Sequence, residues 1–215
     1  MLQFFYEQGK YEVGVDEVGR GCLAGSVVAA AVLFAPDFAY EQHKEAAAVR
    51  DSKKIPAPER VQLDTWIRKE ALAFGIGEAT AAEIDALNIL QASFLAMHRA
   101  IEKLENELKI KYKFETKNID LLLIDGNRFK SYQNLPHLCV VKGDAHYFSI
   151  AAASILAKNY RDSQMQIFAE KYPHYGWETN VGYPTAAHRK AIQCYGITDL
   201  HRKSFNLLNK KNLLF

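Results

Sequence analysis

One stretch near the start of the chain restricts its fold more than any other: Val13-Gly14-Val15-Asp16-Glu17-Val18-Gly19-Arg20-Gly21-Cys22-Leu23-Ala24-Gly25-Ser26-Val27-Val28-Ala29-Ala30-Ala31-Val32. Two Val-rich apolar runs flank a Gly-rich segment that carries two adjacent acids and one arginine, a pattern that reads as two paired β-strands. Side chains alternate along a strand, so Val13 and Val15 share one face while Gly14 and Asp16 share the other. Adjacent Asp16 and Glu17 diverge in regular pleat geometry. Their convergence therefore predicts that the strand ends or bulges at Glu17. Gly19 and Gly21 bracket Arg20, and residues without a Cβ let a ligand come close to the backbone. An acid pair beside an open backbone and a cation is what a phosphodiester site needs. A hairpin turn with solvated charges is the plainer alternative.

The remaining chain alternates strands and helices. Asp51-Ser52-Lys53-Lys54-Ile55-Pro56-Ala57-Pro58 reads as an exposed loop before a helix that starts at Pro58-Glu59-Arg60 and buries Val61, Leu63, Trp66, Ile67 and Leu72. Ser52, Lys53 and Lys54 offer a hydroxyl and two cations, either solvated or gripping phosphates. Phe74–Ala79 predicts a third strand. Thr80 to Leu108 predicts a helix broken near Leu87-Asn88, with Leu90, Phe94, Met97, Ile101, Leu104 and Leu108 on its apolar face. Lys109 to Asn118 reads as a connecting excursion.

The near-continuous apolar run Ile119-Asp120-Leu121-Leu122-Leu123-Ile124-Asp125 predicts a strand covered on both faces. Asp125 closes that run, and sites in α/β sheets collect at the carboxyl ends of strands. Leu138–Val141 is a short strand, followed by Lys142-Gly143-Asp144, where Asp144 is either a site acid or a helix-leading cap. A helix follows from Phe148 to Lys171, with Ala152, Ile155, Leu156, Tyr160, Met165, Ile167 and Phe168 in its apolar set. Ser154 and Lys158 share one of its faces. Tyr172 to His188 reads as an ordered loop in which Tyr183, held between Gly182 and Pro184, either caps the core or stacks on a sugar or base. Short helices are expected at Ala186–Cys194 and Lys203–Asn209. With no repeat or linker, residues 1–215 read as one α/β domain, with about 172–215 as a C-terminal loop and helical extension.

Composition narrows the class. At 215 residues, 49% hydrophobic and 24% charged, the chain can bury a sizeable core. No 18-residue uncharged apolar run predicts a membrane span, and the start lacks an export signal. Cys22, Cys139 and Cys194 are odd in number and far apart, which fits reduced thiols and a cytoplasmic location. The net charge of +2 divides unevenly. Residues 1–125 hold 15 basic and 20 acidic side chains, whereas 126–215 hold 12 and 5, so the C-terminal part is compatible with a polyanion.

The apolar runs place Asp16, Glu17, Asp125 and Asp144 at strand ends or at a strand-to-helix turn. If the first and fourth strands are neighbours, these acids converge, and their repulsion calls for a cation. Oxygen ligands without Cys–His spacing favour Mg²⁺ or Mn²⁺ over Zn²⁺. Two such ions about 4 Å apart would suit phosphodiester hydrolysis. The Gly19-Arg20-Gly21 run lacks a following Lys-Ser/Thr, so it is not a P-loop.

Six ordered motifs now stand together: Asp16-Glu17-Val18-Gly19-Arg20-Gly21, Asp51-Ser52-Lys53-Lys54, Ile124-Asp125-Gly126-Asn127, Lys142-Gly143-Asp144, Ala153-Ser154-Ile155-Leu156-Ala157-Lys158 and Gly182-Tyr183-Pro184-Thr185-Ala186-Ala187-His188. In this order they resemble bacterial ribonuclease HII over about residues 11–205. The resemblance implies an RNase H-like fold, a mixed five-stranded sheet flanked by helices with a helical C-terminal extension. It implies that Asp16, Glu17, Asp125 and Asp144 are the catalytic, metal-binding acids, holding two Mg²⁺ or Mn²⁺ ions. Gly19, Arg20, Gly21 and Tyr183 match the elements that recognise a ribonucleotide 2′-hydroxyl, and Lys53, Lys54, Ser154 and Lys158 are further candidates for substrate contacts.

The activity implied is endonucleolytic cleavage of RNA–DNA hybrids and 5′ of single ribonucleotides in duplex DNA, leaving a 3′-hydroxyl and a 5′-phosphate. Such an enzyme would act as a monomer in ribonucleotide removal. Two readings stay open beside it: a catalytically silent hybrid-binding protein and a DNA-only nuclease or recombinase. Asn180-Val181 stands where many members carry His-Lys, which removes a cation from the Tyr183 loop. The first motif, at Val13, is expected to leave no room for the additional N-terminal domain of the type HIII enzymes. The tail Asn209–Phe215 loosely resembles sliding-clamp-binding peptides.

Overall fold

The computed structural model describes residues 2–113 and 118–208, so the expectation for Asn209–Phe215 lies outside the described residues. Its strands are β1 (Glu12–Val18), β2 (Val27–Leu33), β3 (Ala73–Ala79), β4 (Leu121–Asp125) and β5 (His137–Val140), in the spatial order β3-β2-β1-β4-β5. The first three run antiparallel, while β4 joins β1 and β5 joins β4 in parallel. The helices are α1 (Ala57–Glu70), α2 (Ala81–Leu87), α3 (Ile89–Tyr112), α4 (Phe148–Lys171), α5 (Trp177–Asn180) and α6 (Ala186–Tyr195).

Period-2 alternation sorts the two cores. Val13, Val15, Ala29, Ala31, Leu122 and Ile124 face α3, which supplies Phe94, Met97, Ile101 and Leu104. Val28, Ala30 and Val32 face the opposite layer, where α1 contributes Leu63, Trp66 and Ile67 and α4 contributes Ala152, Ile155 and Leu156. Glycines bring the helices onto the sheet backbone. A Cβ on Gly14 would stand 2.2 Å from the Ser149 carbonyl carbon, so α4 rests directly on β1.

The expected helix break is present. Thr80 and Glu83 form a capping box on α2, and Asn88, at φ 69°, caps α3 by accepting the Leu90 and Gln91 N–H groups at 3.0 and 3.2 Å.

Several expectations need correction. β1 stays in regular register through Glu17↔Ala29 and Val18↔Val28, with neither end nor bulge at Glu17. The helix extends through Lys109–Tyr112 because Leu108 still packs in the core and Lys109 and Lys111 suit the negative helix end. Val61 and Ile167 face solvent, at 51% and 56% exposure, on the outer sides of α1 and α4. Asp144 does not cap α4, whose N-cap is Tyr147; it sits in the 3₁₀ turn Gly143–Ala145. Lys203–Leu208 is irregular, since Asp85 takes the Lys203 and Ser204 N–H groups at 2.9 Å each.

Candidate active site

The parallel pairing of β1 with β4 does what the acids require. Val15 pairs with Ile124, so Asp16 and Asp125 are the next residues on adjacent strands, at the end where β4 stops. After β5 the chain turns through Lys142, in the left-handed region at φ 57°. That turn brings the Gly143 N–H within 2.7 Å of Asp125 Oδ1 and sets Asp144 beside it.

Pleat alternation then fans the side chains apart. Asp16 points toward α4 near Ser154, and its Oδ1 accepts the Glu17 N–H at 2.7 Å. Glu17 points the other way. It shares with Asp125, Arg20, Asn127 and Arg128 a recess of about 290 Å³ beside Leu90, Phe94 and Met97. Asp144 lines a second recess, of about 720 Å³, with Asp51, Lys54, Arg50 and the aromatic side chains of Phe4, Tyr40 and Phe148. The four acids form a row between two recesses. Among the described residues no group of three His, Cys, Asp or Glu side chains stands ready to hold a metal ion.

The row is under electrostatic tension. Asp16 is 6% exposed, and burial, then Glu17, then Asp125 push its carboxyl well above the usual carboxylate range. Burial also raises Glu17, opposed by the Arg20 guanidinium at 3.0 Å. Asp144 is raised by burial and then by Asp125 and Asp51, with Lys53 working against them. Glu17 Oε2 is buried without a hydrogen-bond partner. Oxygen donors, crowded like charges and an orphaned buried carboxylate oxygen fit a hard divalent cation.

The other predicted residues divide by distance from this row. Lys53 and Lys54 are exposed on the turn that Asp51 caps, and Lys54 pairs with Asp51 at 3.6 Å. Ser154 is buried against Ser52, Oγ to Oγ 2.9 Å, and supports Asp16 from below. Lys158 donates to Asp162 Oδ1 at 2.7 Å, and Asp162 also accepts from buried Arg60 at 2.9 Å. As placed, Ser154 is tied to Ser52 and Lys158 to Asp162.

Gly19 takes φ 91°, and a Cβ there would strike Arg161 Nε at 2.3 Å. At Gly21 a Cβ would meet open space, so the backbone there is accessible to a ligand. Tyr183 is half-buried next to Cys22, and burial raises its phenol, which keeps the hydroxyl a donor.

Sequence reasoning missed the residues that hold these loops. Arg161, 1% exposed, donates to the carbonyls of Ser26 (3.1 Å), Ala24 (3.0 Å) and Val181 (2.8 Å). Arg202, fully buried, donates to Gly25 O from Nε and Nη2 at 3.0 and 2.8 Å and to Arg20 O at 2.9 Å. Arg161 thus staples the Gly19–Ser26 loop to the Tyr183 loop, and Arg202 ties the first of these to the C-terminal segment, both through main-chain oxygens. The available signal was weak: Arg161 lies about one turn beyond Lys158 and two beyond Ser154 on the same helix.

Asn180 explains the departure in the Tyr183 loop. Its side chain donates to Tyr175 O at 2.7 Å and accepts the Gly182 N–H at 2.8 Å. Asn180 therefore braces the turn from inside.

The family model for Ribonuclease HII matches residues 13–208. The chain belongs to the ribonuclease HII family. It is 51% identical over 208 residues to the Ribonuclease HII of Parabacteroides distasonis, covering 97% of this chain and 96% of that one. By that membership the chain is a ribonuclease H, an endoribonuclease of RNA–DNA hybrids.

The fold is shared more widely. A Bst-RNase HIII solved in complex with Mn²⁺ superposes with a TM-score of 0.69 at 18% identity, over 92% of this chain and 68% of that one. The RNase HII of Archaeoglobus fulgidus, solved in a PCNA complex, gives 0.66 at 21% identity, over 93% and 97%. These neighbours carry the mixed sheet and flanking helices that the family is expected to have. No described helix is long and apolar enough to cross a membrane.

Proposed function

We propose that Asp16, Glu17, Asp125 and Asp144 are the catalytic acids of a two-cation hydrolysis. We further propose that the enzyme cuts RNA–DNA hybrids and also cuts 5′ of single ribonucleotides embedded in duplex DNA. The products are a 3′-hydroxyl and a 5′-phosphate, and the role is ribonucleotide removal during replication and repair. The observation that carries this reading is the gathering of Asp16, Glu17 and Asp125 just past the last β1–β4 pair, with Asp144 in the turn after β5 and Glu17 Oε2 buried and unpartnered. Mg²⁺ or Mn²⁺ ions bound there would neutralise the carboxylates, polarise the scissile phosphate and activate the attacking water.

The chain's own residues do the rest. Asp125 is steadied by the Gly143 N–H and Asp16 by the Glu17 N–H, each at 2.7 Å, so both carboxylates are oriented before substrate arrives. Glu17, on the other face of β1 and tied to Arg20 by one oxygen, would reach a cation beside Asp125 from the recess the two acids share. The open backbone at Gly21 and the phenol of Tyr183 would read a 2′-hydroxyl, the group that distinguishes RNA from DNA; open space at Gly21 and a protonated phenol support this. Lys53 and Lys54 extend from the neighbouring turn toward a phosphate backbone. The protein acts as a cytoplasmic monomer. The Archaeoglobus complex with PCNA favours a clamp contact for the tail Asn209–Phe215, and unchanged clamp binding after deletion of residues 211–215 would dismiss that contact.

The test uses duplex DNA with one ribonucleotide, an RNA–DNA hybrid and an all-DNA control, with Mg²⁺ and with Mn²⁺. Asp125→Asn is expected to lower cleavage of both ribose-containing substrates at least about a thousandfold, the scale of losing a catalytic electrostatic group, while hybrid binding persists. Full activity of that variant, or cutting of the all-DNA duplex, would refute the reading.

A further inference from the structure

We propose that His188 is a positioning residue for Tyr183, fixing the tyrosine's main chain through its carbonyl. This rests on the reading of Tyr183 as the ribose-sensing residue. The backbone of Tyr183 is held on both sides. Its N–H donates to Asn180 O at 2.8 Å, and its carbonyl accepts the Thr185 N–H at 2.8 Å across Pro184, which has no N–H to offer. The second lone pair of that carbonyl is met by His188 Nδ1 at 3.0 Å.

The partners of His188 fix its tautomer. Trp177 Nε1–H can only donate, and it lies 3.0 Å from His188 Nε2, so Nε2 is the acceptor and the proton sits on Nδ1. That proton is the one given to Tyr183 O. His201 completes the set. Its Nδ1 accepts the Thr198 N–H at 2.9 Å, which leaves its own proton on Nε2, facing His188 Nε2 at 3.3 Å. Trp177, His188 and His201 are all buried, at 0%, 0% and 1% exposure. Thr185 caps α6 by accepting the His188 N–H at 3.1 Å, so helix, imidazole and tyrosine carbonyl form one rigid corner.

The same corner reaches the other substrate loop. His201 bridges in β fashion to Ala24, and its neighbour Arg202 holds the carbonyls of Arg20 and Gly25. The Tyr183 loop and the Gly19–Gly21 loop therefore end on a single buried cluster. A shift of His188 would move the tyrosine while leaving the acid row in place.

Asparagine separates positioning from packing. Its Nδ2 stands where histidine Nδ1 stood and can still donate to Tyr183 O, whereas the acceptor for Trp177 is gone. Glutamine reaches the Nε2 position instead and leaves the tyrosine carbonyl without that partner. Full-length His188→Ala, His188→Asn, His188→Gln and Tyr183→Ala would be assayed for kcat and KM on duplex DNA with one ribonucleotide and on an RNA–DNA hybrid, alongside thermal melts.

His188→Ala is expected to lower kcat at the lone ribonucleotide about tenfold, the worth of one buried hydrogen bond, with KM changed less than about threefold and a smaller loss on the hybrid. His188→Asn recovers most of that kcat despite a lower melting temperature, and His188→Gln does not. If Asn and Gln rank the other way, or if activity simply tracks melting temperature, the proposal fails; that ranking decides the matter even where the alanine protein does not fold. Wild-type cutting by Tyr183→Ala would instead remove the sensing role itself. Impaired Tyr183→Ala with unaffected His188 variants would remove only the positioning role.

Discussion

Asp16 and Glu17 are neighbours in the chain and look in opposite directions, and much of the site's physics follows from that. Asp16 is desolvated toward α4, Glu17 toward α3, and Asp125 lies near both. Charges held this close in a poorly solvated place destabilise the metal-free protein and favour any hard cation that can bridge them. The histidines of the C-terminal cluster illustrate the reverse case. Burial, then His188, holds His201 down to about 4, and burial lowers His188. A histidine in the unfolded chain takes up its proton near pH 6.5, so between there and about pH 4 the unfolded state binds protons that the native state refuses. The stability supplied by the neutral pair is thus complete above pH 6.5 and lost as pH falls toward 4. Raised carboxylates such as Asp16 act in the opposite sense, so the comparison must be internal. The stability advantage of wild type over His201→Asn, measured by denaturant melts, is expected to shrink by up to about 3 kcal/mol between pH 7 and pH 4. An advantage independent of pH would contradict the neutral assignment.

At the scale of elements, the active site depends on how closely α4 lies against β1. Gly14 is two residues from Asp16, and the Ser149–Ile150 peptide lies where its Cβ would be. Gly14→Ala is expected to lift α4 from the sheet, costing about 3 kcal/mol or more in thermal unfolding. It would reduce cleavage through loss of the Ser154–Asp16 contact rather than loss of any ligand. A variant with wild-type melting and wild-type rate would show that α4 can move freely. Much of this layer was legible from residue patterns: the strands, the break at Asn88, the whole span of α4 and Asp125 at a strand end all follow from periodicity and from Gly and Asn chemistry. The regular passage of β1 through Glu17 was not, because two adjacent acids suggest a shared direction, whereas Asp16 and Glu17 diverge and it is β4 that brings Asp125 near both. Val61 and Ile167 misled because an apolar side chain fits a helical period without having to be covered. Arg161 and Arg202 were hidden for another reason: their partners are carbonyl oxygens on loops, which no residue identity reveals.

For the whole molecule, the decisive feature is the place of β1. It is the earliest strand in the chain, yet it lies at the centre of the sheet, between β2 and β4, and its parallel partner begins only at Leu121. Pairing over that separation is slow to form compared with a hairpin. On the ribosome, β1 and β2 can pair early, but Asp16 gains Asp125 and Asp144 only after more than a hundred further residues have been made, and Arg202 follows later still. A nascent chain therefore carries Asp16 and Glu17 without Asp125 and Asp144 until β4 and the turn after β5 have emerged. On the proposed reading of these acids, cutting would have to wait until β4 and the turn at Asp144 have been made and docked on β1.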